Sequence, residues 1–168
     1  ASVAGSAESA GLSVPMVTVN GGGFNDGLLK TAVAGALKEN LYITLPWQMD
    51  DGNAEVAALV KTFRAQYPKD SFNENTMWGF GAAAAYADVL TKACEAKDLS
   101  RAGVMKAFSS ASSVDSLGLL VPLNYTQAGK TPSKHVFIHK VDAQGLAGET
   151  LLTSEPYVGP KAESYELS

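Results

Sequence analysis

Few residues in this chain have the type and spacing that catalysis or metal binding requires. The two histidines, His135 and His139, fall four apart in a segment that reads as a strand. They share a face there, but at ~3.3 Å per residue they stand about 13 Å apart. One metal ion with bonds of about 2 Å cannot be held by both, so both are expected to face solvent. Cys94 is the only cysteine, which excludes an intramolecular disulfide. Set among alanines on a predicted helix, it reads as a small buried hydrophobe rather than an activated thiol. Asp50 and Asp51 are adjacent and read as solvated loop charge, since glycosidase-type carboxylates must flank a bond from two sides. There is no G-x-S-x-G elbow and no H-E-x-x-H helix. No catalytic residue, metal site or cofactor is expected.

The residues suited to holding a ligand are of another kind. Asn20-Gly21-Gly22-Gly23 lies where a strand gives way to a helical segment. Free backbone N–H groups and a helix dipole at such a place suit a carboxylate or another anion. A nucleotide is not indicated. Counted from Gly21, a G-x-G-x-x-G fingerprint would end on Asp26, and Gly27 is followed by Leu28 and Leu29 instead of the Lys and Ser/Thr of a phosphate loop. Trp47, Trp78 and Phe80 could line an apolar pocket, although aromatic side chains more often fill a core. Trp47 stands out because it follows Pro46, which ends a strand.

The elements that must position these residues are legible in outline. Val14 to Val19 reads as a buried strand, and Phe24 to Lys38 as a broken helix or two short ones, interrupted by Gly27 and Gly35. Leu41-Tyr42-Ile43-Thr44-Leu45 is a strand. Asn53 then caps a helix whose Val56, Leu59, Val60, Phe63 and Tyr67 form one face, and Pro68 stops it. Asn75 to Ala96 is a longer helix with small residues from Gly79 to Ala85, and Ser100 caps a third. Leu117 to Leu123 suits a crossover. Lys134 to Val141 is a strand, with Asp142-Ala143-Gln144-Gly145 as a hairpin turn into Leu146 to Thr153.

The totals bound the function. The chain has 168 residues, a formal net charge of −4 and 46% hydrophobic residues. That is enough for a real core, and the acidic balance speaks against a nucleic-acid partner. No apolar run approaches the ~20 residues of a membrane span, and no signal peptide is evident.

The order of these elements resembles the C-terminal half of a type I periplasmic solute-binding protein of the branched-chain amino-acid (Leu/Ile/Val-binding) kind. Gly11 to Val17 is similar to the family's passage into a second-lobe strand, and Gly35 to Ile43 to the strand leading to the hinge. Val60 to Tyr67, Trp78 to Leu90, Leu99 to Ala107 and Lys134 to Val141 each resemble later segments. The resemblance covers about residues 11 to 145.

The fold it implies is α/β, two Rossmann-like lobes joined by hinge crossovers, with the C-terminal portion of each present. Residues 1–46 then belong to the second lobe and 47–121 to the helical part of the first. Residues 122–153 return to the second lobe, and 154–168 form an extended tail. The function it implies is non-enzymatic. An extracytoplasmic component of an ABC transporter captures an amino acid or a related small carboxylate or aromatic solute by hinge closure, and delivers it to a membrane permease. A ligand-sensing receptor domain of the same fold is the alternative, and a small α/β enzyme the less favoured one. Asn20, Gly21, Gly22 and Phe24 would contact ligand from the second lobe, Trp47 near the hinge and Trp78 from the first lobe. No cofactor, metal or nucleic acid is implied. The setting is periplasmic or extracellular, with membrane anchoring through an absent N-terminal segment as one form of it.

Two departures qualify the resemblance. Family chains are roughly twice as long, so a missing N-terminal half or a second copy of the chain is expected as a partner, with apolar faces exposed in its absence. Amino-acid binders also often place an acid where Asn20 stands. An amide supplies no counter-charge for an ammonium, which weakens an α-amino acid as ligand.

Overall fold

The computed structural model describes residues 2–19 and 23–165. Their order is α1 (Ser2–Ser9), β1 (Met16–Val19), a 3-10 turn (Asp26–Lys30), α2 (Ala34–Asn40) and β2 (Leu41–Leu45), then α3 (Ala54–Gln66), α4 (Glu74–Glu95) and α5 (Arg101–Ser109), and last β3 (Phe137–Leu146), β4 (Glu149–Leu151) and α6 (Pro160–Ser164). The strands form one mixed sheet in the order β1-β2-β3-β4. β1 and β2 are parallel, Val17 opposite Tyr42, and are joined through α2. β2 and β3 are antiparallel, Ile43 opposite His139.

Side-chain alternation gives the sheet one dry face. Leu41, Ile43 and Leu45 of β2 and Phe137, His139 and Val141 of β3 are all buried there. Ala4 of α1, Leu37 of α2, Val56 and Val60 of α3, and Met77 of α4 pack into that same core. On the other face Val17 and Val19 are about two-thirds exposed. Beside them Tyr42 is partly covered by the Lys140 ammonium, 4.6 Å from the ring centre.

The helix starts follow from their caps. The Asn53 side chain accepts from the Glu55 and Val56 amides, and Ser100 from that of Gly103. Asn73 does the same for Thr76, so α4 begins at Glu74, one residue earlier than the apolar pattern suggests.

Five expectations are corrected. The strand read over Val14 to Val19 is not buried: β1 is Met16–Val19 at the sheet edge, with Val14, Val17 and Val19 all largely exposed because no element covers that face among the described residues. The β3–β4 turn is Ala147-Gly148, with φ of 54° and 83°, while residues 142–145 are absorbed in a bulge between Val141 and Leu146. With positive φ at both positions this is a type I′ turn, and Ala147 is a poor advertisement for one. The tail is not extended throughout: Tyr157 pairs with Val136 and α6 follows. Cys94 is exposed, not buried. His139 is fully buried, not solvent-facing.

The strand parity of His139 explains its burial, since it alternates with Phe137 and Val141 on the dry face. Its Nε2 accepts the Met49 amide at 3.2 Å. Burial drives the imidazole from the ordinary 6.5 down to about 4, against weaker upward pulls from the Ile43 backbone and Asp50. A depressed imidazole contributes stability that is whole above pH 6.5 and is lost as the pH falls through about 4. Relative to a His139→Leu variant, urea denaturation should show the wild type losing about 1.4 kcal/mol per pH unit across that interval. A gap that does not vary with pH would contradict a neutral, buried His139.

Candidate functional site

After β2 the chain leaves the sheet at Pro46, and it returns to the same place at Leu119–Val121. Trp47 forms an isolated antiparallel bridge with Leu120. The Val121 amide donates to the Pro46 carbonyl at 2.8 Å, and the Gln48 amide to the Leu119 carbonyl at 3.2 Å. Two crossings thus lie side by side and are tied by backbone bonds. They can do so against α4 because residue 81 is glycine: a Cβ there would come within 2.6 Å of the Leu120 side chain.

Beside the crossings lies an apolar groove of about 450 Å³. Its long wall is one face of α4, made by Trp78, Ala82, Ala85, Tyr86 and Val89, at i, i+4, i+7, i+8 and i+11. The alanines make room where larger side chains would close it. Trp47 and Trp78 meet edge to face at 5.4 Å at one place on its rim, and Phe108 and Tyr125 pair at 4.2 Å at another. Pro46, Leu120, Leu123 and Pro132 complete the lining. Among the described residues no charged side chain contributes to it.

Of the six residues expected to touch ligand, Asn20, Gly21 and Gly22 lie outside the described residues. Phe24 is buried in the sheet's core beside the Gly148 turn and lines no part of the groove. Trp47 and Trp78 are brought together. Trp47 is 2% exposed and Trp78 55%, so one is a buried base and the other an exposed rim. Phe80, two residues on, is not part of the groove's lining. Tyr86, Val89, Phe108 and Tyr125 were not singled out from the sequence. The first two could have been, because they extend the Trp78 stripe at helical spacing; Phe108 and Tyr125 come from distant segments and carry no such signal.

Comparison with known proteins agrees with this architecture. Residues 1–146 match the family described as periplasmic binding protein. The chain belongs to that family. Among solved structures, the fatty acid ABC transporter substrate-binding protein from Thermomonospora curvata superposes with a TM-score of 0.86 at 29% identity. The match takes in 98% of this chain and 42% of that one, so the present sequence spans less than half the length of that relative. No curated protein matches. The α/β fold of type I periplasmic binding proteins is thereby established for the region, in partial form. Among the described residues no helix is long and apolar enough to cross a membrane.

In this periplasmic binding protein segment, the groove can accommodate an apolar body but, among its described residues, offers no carboxylate to pair with an ammonium. Burying an unpaired charge there would be far more costly than burying a methylene chain. Its two tryptophans should also separate in their effect on folding. Trp47→Ala empties a fully packed site and should cost about 3–5 kcal/mol in urea denaturation. Trp78→Ala, at a half-exposed position, should cost about 1 kcal/mol. Equal losses would mean that Trp78 is part of the core and not a rim.

Proposed function

We propose that this segment belongs to the extracytoplasmic solute-binding component of an ABC transporter. It would capture a small carboxylate with an apolar body, aliphatic or aromatic, between two lobes and present the closed complex to a membrane permease. The observation that carries the reading is the uncharged groove set directly on the paired crossings, in a chain of the periplasmic binding protein family. The crossings at Pro46–Gln48 and Leu119–Val121 act as hinge, with α4 and α5 as the first lobe's share and the sheet as the second's. Trp47 and Trp78 contact the apolar body. Asn20, Gly21 and Gly22 hold the carboxylate with backbone and amide donors. No chemistry is performed on the solute.

The relative that is described as a fatty acid transporter component points to the same ligand chemistry. A free amino acid fits less well, because neither Asn20 nor the groove supplies a negative charge for its ammonium. Further polypeptide, either the remaining part of a two-lobed binder or a second copy, completes the sheet. The free outer edge of β1 and the outward-facing Val17 and Val19 support that.

Native mass spectrometry of the purified protein, followed by denaturation, tests the reading. The expected release is a carboxylate with a hydrocarbon or aromatic body. Ala85→Phe, which narrows the groove, should lower affinity for that compound at least tenfold, about 1.4 kcal/mol. Release of an amino acid would overturn the ligand class. A complete two-lobed protein that retains nothing and binds no such carboxylate in equilibrium titration would overturn solute capture.

A further inference from the structure

His139 sits in the dry face of the sheet with no exposed surface, and its ring makes a hydrogen bond that reaches out of the sheet. Nε2 accepts the amide of Met49 at 3.2 Å, across 90 positions of sequence. Met49 is itself buried, 1% exposed, so its N–H cannot turn to water instead. It stands two residues beyond Trp47, in the first of the two crossings. Among the described residues this is the only hydrogen bond from residues 47–52 to a strand of the sheet. The Gln48 bonds run instead to the second crossing, at the Leu119 and Gly118 carbonyls.

The bond fixes the state of the ring. An amide N–H donates, so Nε2 carries no proton, and a neutral imidazole then carries its proton on Nδ1. Nδ1 is buried without a hydrogen-bond partner. A leucine here would leave no ring nitrogen unpaired, and a buried polar group with half its capacity unused opposes folding. What the histidine supplies in return is an acceptor beneath Met49.

We propose that His139 is a positioning residue for the hinge: through Met49 it holds the Pro46–Gln48 crossing against β3 and so sets how Trp47 stands in the groove. Trp47 meets Trp78 edge to face at 5.4 Å and is the buried base of the groove, so a shift of the crossing moves the surface that a solute meets. His139 lines no part of the groove. The seating of the crossing stands on the hydrogen bond; its bearing on affinity rests on the groove being the solute site.

Because the acceptor is a ring nitrogen, acid removes it. Protonated at both nitrogens, the ring is a donor only and meets the Met49 N–H with another N–H. Burial opposes that protonation, while the Ile43 backbone opposite and Asp50 beside Met49 favour it more weakly, so the ring protonates at about 4. On β4, Glu149 lies diagonal to His139 on the same sheet face, with both carboxyl oxygens unpartnered. Burial first, and Glu74 of α4 second, push its carboxyl up to about 10, so it does not change charge in an acid titration. Helices α3 and α4 otherwise turn Val56, Val60 and Met77 to this core. The bond is therefore intact at neutral pH and is lost as the pH falls through about 4.

Long-range proton–nitrogen correlation spectra of the histidine rings test the bond in the intact chain. At neutral pH the His139 ring should be protonated at Nδ1 only; a ring protonated at Nε2 overturns the proposal. The chain has two tryptophans, so in a Trp78→Phe background Trp47 is the sole emitter and gives a second readout. There, His139→Leu should shift the emission to longer wavelength at neutral pH. His139→Gln, whose amide oxygen restores an acceptor in place of Nε2, should not. Lowering the pH through about 4 should produce the same red shift with histidine and none with glutamine, at unchanged far-ultraviolet circular dichroism. A leucine variant that emits like the histidine protein, or an acid shift that persists with glutamine, overturns the positioning role. If the leucine variant does not fold, the glutamine variant and the ring spectrum decide the matter. With Trp78 in place, His139→Leu should bind dodecanoate about tenfold more weakly than His139→Gln. A wild type that binds no dodecanoate counts against the groove as solute site and leaves the positioning role standing, because the ring spectrum and the emission need no solute.

Discussion

The structure depends on the double pairing of β2. This five-residue strand has β1 alongside it in parallel and β3 in antiparallel, which leaves its backbone groups no need of water. Its inward side chains, Leu41, Ile43 and Leu45, are at most 6% exposed. Everything else is arranged around that strand. Helices α1, α2 and α3 cover its dry face, and Pro46 ends it because proline cannot donate to a further ladder bond. The chain must therefore leave the sheet at one fixed point. That point is where the second crossing is tied to it through the Pro46 carbonyl and where the groove opens.

The elements legible in the sequence are those whose signals are local. The β2 run of apolar and β-branched residues, the one-sided spacing of Val56, Val60 and Phe63, and the caps at Asn53 and Ser100 each involve side chains within a few residues of each other. What escaped depends on contacts distant in sequence. His139 is polar by type, and only its alternation with Phe137 and Val141 reveals the buried side, because a polar residue inside a strand normally marks the wet face. The Ala147-Gly148 turn was hidden because alanine seldom adopts positive φ, whereas Asp142 to Gly145 has turn-forming residues that serve a bulge. Half of the groove was readable from α4; the half built by Phe108, Leu120 and Tyr125 is assembled by the fold.

The groove's selectivity follows from what it lacks. An ammonium entering it would exchange a full hydration shell for alanine methyls and aromatic edges; the ring faces give back about 0.5–2 kcal/mol, well short of the several kcal/mol that desolvation takes. A hydrocarbon or aryl group makes the opposite exchange, gaining about 25 cal/mol for each Å² withdrawn from water. Under the proposed function, a carboxylate on such a ligand projects out of the groove, and the glycine-rich segment after β1 is the part of the sequence proposed to supply its donors. An apolar body at the crossings and an anion at the strand end would bind to different elements. A ligand with both groups at the right separation would hold those elements together, whereas one with either group alone would not. That is the physical requirement for a solute to select a closed arrangement of two lobes.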